Sequence, residues 1–190
     1  MINANPDIER LRFLVKVVQR EIKHLQTTDQ RLFEKPFNHE MANQLESNDE
    51  LAERVEAFVS RFARLQDTIG DKLLPQLLSF LGERPGAAID NIDRAERLGW
   101  IKSSDIWMET RKLRNQMVHE YIDDLMILID VLNLGHERVS HLIYAAAQML
   151  GEIEARLRWP RFQIYPWLIY QWETALMLSK LVLNATHSAI

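Results

Sequence analysis

The sequence predicts an all-α protein, built as a bundle of antiparallel helices. Apolar residues recur at three- and four-residue spacing along nearly the whole chain, which is the period of an amphipathic helix. No segment alternates apolar and polar residues with the two-residue period of a strand. The 190 residues contain only 6 glycines and 6 prolines, too few for a turn-rich all-β fold. Breaks at these residues favour a compact bundle over a continuous coiled coil.

The first part of the chain predicts two long helices separated by a polar connection. Pro6 is suited to the entrance of the first helix, whose apolar stripe continues to Leu25. The polar stretch 35–48 reads as the connection. The side chains at 47–49 are good N-caps for a second helix with an apolar stripe that reaches Leu73. Pro75 is expected to kink or end that helix.

Two shorter helices are predicted in the middle of the chain. A Pro-Gly loop at Glu83–Gly86 precedes a helix over Ala88–Leu98, and Gly99 is expected to cap the end of that helix. The polar side chains at 103–105 offer N-caps for the next helix, which continues through Met117.

The last third predicts two long helices and a division of the chain into two parts. Asn133 and Gly135 permit a break, after which a helix is expected to continue to Leu157. A final aromatic helix is expected at about 166–183. We therefore expect a helical bundle over residues 1–157 and a C-terminal helical extension over 158–190 that packs on the bundle or at an interface. Base stacking by the aromatic side chains is the alternative function of that extension, although aromatics at helical spacing favour a core or an interface.

Composition excludes several function classes. The 23 basic and 27 acidic residues give a net charge of −4, which excludes a generally basic nucleic-acid coat. The lack of cysteine excludes disulfides, thiolate zinc sites and a cysteine nucleophile. Glycine-rich phosphate loops and the HExxH and GxSxG motifs do not occur. His136 and His141 are badly spaced for joint ligation from one helix face, so we expect neither a metal nor a cofactor.

The sequence also predicts a cytoplasmic protein without a membrane span. Residues 1–6 are polar and do not resemble a secretory signal. The most apolar segment, 164–183, is interrupted by Gln171, Glu173 and Lys180, so a buried or partner-facing helix is expected there.

The stretch of greatest chemical interest is Arg111–Asp123. It brings a guanidinium (Arg114), an amide (Asn115), an imidazole (His119) and a phenol (Tyr121) within eight residues. This set is suited to a phosphodiester, because an imidazole exchanges protons near neutral pH and a guanidinium binds phosphate bidentately. Asn115 is expected to orient the imidazole or the phosphate.

Helix geometry separates the two main groups of this stretch. Arg114 and His119 project about 140° from each other on an ideal helix. Both reach one substrate only if the helix is distorted, if the arginine side chain swings round, or if a symmetric partner brings a second copy. A catalytic role therefore favours a dimer with the motif near its two-fold axis. The structural alternative is that Arg114 pairs with a carboxylate and His119 hydrogen-bonds a neighbour.

The same stretch resembles the signature of HEPN domains, in the R-x4-H-x-Y form found in HepT-like toxins. The match lies at Arg114, His119 and Tyr121, and it includes the asparagine directly after the arginine. The flanking segments 67–74 and 94–101 are also similar to the family in character. The resemblance covers roughly residues 7–157, so the predicted bundle is identified as a HEPN domain; the chain is long for this family because of its C-terminal extension.

The resemblance implies a dimeric, metal-independent endoribonuclease that cuts transfer or messenger RNA and leaves a 2′,3′-cyclic phosphate. By carry-over, His119 is the general acid and base, Arg114 is the phosphate contact, and Asn115 supports them. The family also implies a type VII-like toxin–antitoxin pair. Its antitoxin, a minimal nucleotidyltransferase (MNT), transfers AMP to the motif tyrosine, here Tyr121. The extension at 158–190 would then serve dimerisation or antitoxin docking.

Local charge agrees with RNA as the substrate. Residues 94–119 contain six basic and three acidic residues, although the whole chain is acidic. Arg111 and Lys112 are the expected RNA-binding residues beside the motif. Two alternatives remain open: a non-catalytic HEPN subunit that binds substrate for a nucleotidyltransferase, and a plain helical scaffold.

Overall fold

The structure, a computed structural model, describes residues 6–119 and 124–157. Within these ranges it consists of helices and connections and contains no strand. This confirms the predicted all-α class. One π-helical segment, Thr68–Leu73, joins α3 to α4 without a break. The seven α-helices are α1 (Pro6–Leu32), α2 (His39–Gln44), α3 (Asp49–Asp67), α4 (Leu74–Phe80), α5 (Ala88–Arg97), α6 (Ser104–His119) and α7 (Leu125–Leu157).

Several helix ends follow from capping chemistry that the sequence predicts. The Asn48 side chain accepts a hydrogen bond from the amide of Leu51 at 3.1 Å and so caps α3. Gly99 has a φ of +74°, and the amide beyond it, that of Trp100, donates to the carbonyl of Ala95 at 2.8 Å, which closes α5. The predicted caps at these two helix ends are confirmed.

The connection between α1 and α3 is more ordered than the polar sequence predicts. It contains α2, which Asn38 caps, and Phe37 in it is almost fully buried. The side-chain amide of Asn133 on α7 accepts a hydrogen bond from the Phe37 amide at 3.0 Å and donates one to the Phe37 carbonyl at 2.8 Å. A buried aromatic and a two-point hydrogen bond therefore hold this connection against α7.

The predicted break at Asn133 and Gly135 is wrong, because α7 runs continuously through both residues. Gly135 is used for close packing: a methyl group there would lie 3.1 Å from Met117 Sδ and 3.3 Å from Phe58 Cε1. Asn133 is used to hold Phe37. Both residue types disfavour a helix by propensity, and here tertiary contacts outweigh that preference.

Pro75 does not end the helix that precedes it. It is the second residue of α4, directly after the π-helical segment, and the chain stays helical through it. The irregularity comes earlier, in the π-helical segment. There a methyl group on Gly70 would lie 3.1 Å from Cζ2 of Trp107, so the glycine permits close approach of α6 to this segment.

The hydrophobic core lies between α1, α3, α4 and α6. Helix α7 packs against α3 and α6 at Gly135 and buries Leu132 and Leu142. The largest fully buried aromatic side chains of the core include Phe58 and Phe62 of α3, and each such side chain contributes about 1.5–3 kcal/mol by burial. The helices up to Ile153 form one compact unit. The predicted extension at 158–190 and its aromatic helix lie outside the described residues. None of the described helices is long and apolar enough to cross a membrane.

Candidate functional site

Helix α6 carries most of the predicted motif, and an apolar stripe anchors it. Ser103 begins the helix, because its hydroxyl accepts a hydrogen bond from the Ile106 amide at 3.3 Å. Three- and four-residue spacing then places one row of side chains in the core. The row consists of Trp107, Thr110, Leu113 and Met117, all buried. The arginines between them consequently lie at the margin of the core, beside the end of α3.

Arg114 is held at two points. Its Nη2 donates to Oδ2 of Asp67 at 2.5 Å, and its Nη1 donates to Oδ1 of Asn115 at 2.8 Å. The arginine and aspartate side chains are 28% and 32% exposed, so water screens the attraction between their charges only in part. Nε of Arg114 is buried and has no hydrogen-bond partner among the described residues. Each Nη carries two N–H groups, and within residues 6–119 and 124–157 only one of the two on each is used.

A second ion pair lies next to the first. Nη1 of Arg111 donates to Oδ1 of Asp71 at 3.0 Å, and these side chains are 36% and 40% exposed. The later residue of α6 pairs with the earlier aspartate, because the two helical segments run antiparallel. We call the four residues Arg111, Arg114, Asp67 and Asp71 the arginine ladder.

The predicted RNA-binding residues have different surroundings. Arg111 shares its charge with Asp71, which reduces the positive potential that it presents to a polyanion. Lys112 is exposed and forms no ion pair with the residues that the structure describes. Of the two, Lys112 is the unshared surface cation.

The structure brings together part of the predicted motif. Arg114 contacts Asn115, and Arg111 lies one helical turn away on the same side of α6. Helix α6 extends to His119. The side chain of His119 and all of Tyr121 lie outside the described residues. The predicted relation of the imidazole and the phenol to Arg114 therefore stays a prediction.

The structural alternative for Arg114, a pair with a carboxylate, is present in the molecule as the Asp67 contact. This contact uses one N–H of the guanidinium, and a second N–H on Nη2 has no partner among the residues that the structure describes. An anchored arginine with unused donors is suited to bind an anion, since little side-chain entropy is lost on binding.

Asp67 and Asp71 are the site residues that sequence reasoning missed. The two carboxylates are four residues apart, and the two arginines are three apart, so each pair lies on one side of its own helix. That matching spacing is the available signal. It does not give the antiparallel register, which the packing of Gly70 against Trp107 sets.

The two histidines of α7 lie near charged groups of other residues. Nδ1 of His136 lies 2.7 Å from Oδ1 of Asp29 in α1, and the hydrogen bond that this carboxylate accepts raises the pKa of His136. Burial lowers the pKa of His141, and the nearby charges of Arg138 and Lys102 lower it further. Over residues 6–119 and 124–157, no group of three or more potential ligands is arranged to hold a metal ion.

Comparison of the chain with protein-family models, with characterised proteins and with solved structures gives no match. The basis for a function is therefore the motif and the geometry of the arginine ladder.

Proposed function

We propose that this chain is a HEPN-type endoribonuclease toxin that cleaves RNA without a metal ion, through Arg114 and His119. The observation that carries the proposal is the Arg114 guanidinium, which Asp67 and Asn115 hold at the margin of α6 with one N–H left on each Nη. Such an arginine is suited to a phosphodiester, and the histidine that the chemistry needs follows five residues later on the same helix.

The proposed chemistry is an internal transesterification. The 2′-OH of the ribose loses its proton to a general base and attacks the adjacent phosphorus. The P–O5′ bond breaks, the leaving 5′-oxygen receives a proton, and a 2′,3′-cyclic phosphate remains. His119 exchanges the protons, and Arg114 stabilises the charge that develops on the phosphoryl oxygens. The proposed reaction balances without a redox partner or a metal ion.

A homodimer is part of the proposal. Helix geometry points Arg114 and His119 about 140° apart, and a second copy would bring both types of group to one phosphate without distorting the helix. The first half of α7, which follows the motif in the chain, exposes the apolar side chains Leu125, Met126, Ile127 and Leu134. Exposed apolar side chains of this kind are suited to a contact with a second copy.

The decisive experiment compares Arg114→Ala and His119→Ala with the unaltered chain in a cleavage assay containing EDTA. Each variant should lose cleavage, and the product of the unaltered chain should carry a 2′,3′-cyclic phosphate. Arg138→Ala is the matched control, because Arg138 also forms one ion pair, with Glu109 at 3.3 Å, and is 20% exposed. The proposal is wrong if both motif variants cleave as fast as the control.

The regulatory half of the proposal assigns Tyr121 as the acceptor of AMP from an MNT-type nucleotidyltransferase antitoxin. The phenol oxygen attacks the α-phosphorus of ATP and pyrophosphate leaves. The added anion then repels RNA phosphates.

Intact-mass measurement after incubation with a candidate transferase and ATP should show one AMP or a small multiple, with cleavage lost. Tyr121→Phe should stay unmodified. An inactive chain that still binds the transferase would favour the substrate-binding subunit instead.

A further inference from the structure

We propose that Asp67 is a positioning residue that sets the orientation of the Arg114 guanidinium toward the substrate phosphate. This inference rests on the proposed ribonuclease function and extends it to a residue outside the R-x4-H-x-Y motif. Asp67 is the last residue of α3, forty-seven positions before its partner. The contact therefore joins two separate helices, and the motif helix alone does not supply it.

The geometry gives Asp67 a specific task. A free arginine side chain has about 2 kcal/mol of rotamer entropy, so an unrestrained guanidinium samples many orientations. Asp67 holds Nη2 and Asn115 holds Nη1, which together fix both the position and the plane of the group. Asn115 is the neighbouring residue on the same helix and moves with Arg114. Asp67 lies on a different helix, so its contact fixes the guanidinium relative to the rest of the fold.

The backbone around Asp67 supports a fixed position. The residue lies where α3 passes into the π-helical segment, and the neighbouring residues Gln66 and Thr68 are fully buried. Gly70 in that segment packs directly against Trp107 of α6. The carboxylate is thus carried by buried backbone and not by a surface loop, which is the kind of support that orients a functional group within a fraction of an ångström.

This role predicts a particular kinetic signature. A fixed guanidinium lowers the barrier only if its remaining N–H groups point at the charge that develops in the transition state. Loss of the Asp67 anchor should therefore lower kcat, while Arg114 keeps its charge and still attracts RNA. A carboxylate that merely competed with RNA phosphates for Arg114 would have the opposite effect, because its removal would lower KM.

The test measures kcat and KM for RNA cleavage by Asp67→Asn, Asp67→Glu and the unaltered chain. For Asp67→Asn we expect kcat to fall by about 10- to 100-fold, the range that misplacement of a reacting group produces, with KM within about twofold. Asp67→Glu keeps a carboxylate on a longer stem and should recover part of kcat. Glu109→Gln is the matched control, since it removes one negative charge and one cross-helix arginine pair on α6.

A second readout reports on the positioning itself. ¹⁵N relaxation of the Arg114 Nε should show a rigid side chain in the unaltered protein and in Glu109→Gln, and a mobile one in Asp67→Asn. Thermal melting of each variant separates this effect from loss of the fold. A mobile Arg114 with reduced kcat supports the inference.

The outcomes separate the two proposals. If the unaltered chain cleaves RNA and Asp67→Asn keeps its kcat, the inference is wrong and the proposed function stands. A change confined to KM also overturns it. If the unaltered chain cleaves no RNA, the proposed function fails, and the positioning role fails with it because there is no reaction to serve.

Discussion

Two polar contacts between helices use their hydrogen bonds differently: the arginine ladder, and the contact of α7 with the end of α1 and the connection after it, which we call the α1–α7 seam. In the second seam, Asn133 donates to the carbonyls of Phe37 and Ile129 and accepts from the Phe37 amide. Both of its N–H donors are used. Arg114 in the ladder is held at two points, but one N–H on each Nη has no partner in the part of the chain that the structure describes. Unused donor capacity on an anchored group is what distinguishes a candidate site from a structural contact.

The two seams also differ in their charged groups. The ladder pairs the guanidinium groups of Arg111 and Arg114 with two carboxylates. The α1–α7 seam contains His136 beside Asp29, and the hydrogen bond to that carboxylate raises the pKa of the imidazole. The guanidinium groups make the ladder suited to an anion, whereas the other seam holds helices together.

Replacement of Arg114 by lysine should have the largest effect. An ammonium is a point charge, and it cannot contact Asp67 and Asn115 while also giving two parallel hydrogen bonds to a phosphate. Cleavage should fall by about 100-fold or more, the effect of losing one preorganised donor to transition-state charge. Steady-state kinetics on an RNA substrate measures it, with Arg138→Lys as the control. Equal rates for both variants would show that charge alone suffices and that the ladder geometry is irrelevant.

Asn133→Ala should lower the stability of the fold and leave the rate of RNA cleavage unchanged. The substitution removes three hydrogen bonds and leaves the Phe37 backbone groups without their side-chain partner. We expect the free energy of unfolding to fall by about 2 kcal/mol, within the usual cost of unpaired polar groups. Urea unfolding measures the loss, and the cleavage rate of the folded variant should match that of the unaltered chain. A change below about 0.5 kcal/mol would mean that water replaces these bonds.

Gly70→Ala should have an intermediate effect, because it acts on the register of the ladder. The new methyl group would lie 3.1 Å from Cζ2 of Trp107, so α6 or the indole must shift. Overpacking of this kind costs about 1 kcal/mol or more, and the shift should reduce cleavage as well. Gly151→Ala is the control: nothing lies within 4 Å of its added methyl group, so helix propensity should stabilise the chain. A Gly70 variant as stable as that control would contradict the tight contact.

Local chemistry made much of the fold predictable. The apolar spacing identifies the helices, and the caps at Asn48 and Gly99 act as their residue types predict. The errors occur at Asn133 and Gly135, where residues that disfavour helices are kept for contacts with other elements. The residues around Asn133 and Gly135 in the sequence do not predict their contacts with Phe37, Phe58 and Met117.

The candidate site is likewise predictable only where its residues lie close together in the sequence. The motif on α6 is visible because its residues are close in the chain. Asp67 is missed because its partner is distant, and its role depends on how two helices are set against each other. The π-helical segment adds to the difficulty, since its pattern of apolar residues continues that of α3 through Ile69 and Leu73.

The smallest expected effect is the pH dependence of the α1–α7 seam. The Asp29 carboxylate raises the pKa of His136 above its ordinary value of 6.5, so the folded state binds the proton more tightly than the unfolded state does. The resulting stabilisation is fully present below that ordinary value and is lost as the pH rises through the higher pKa of the folded protein. It should stay below about 1 kcal/mol, because the imidazole is 44% exposed and water screens the pair.

Urea unfolding at several pH values, compared with His136→Gln, isolates this contribution from that of His141. Burial lowers the pKa of His141, which therefore destabilises the protein as the pH falls. The variant keeps His141, so subtracting its unfolding free energy from that of the unaltered chain cancels the opposing effect. The difference should shrink as the pH rises above 6.5, the ordinary pKa of histidine, and through the higher pKa of His136 in the folded protein. A difference that is constant with pH would mean that His136 acts through its stacking on Phe33, at a ring separation of 4.4 Å, and not through its charge.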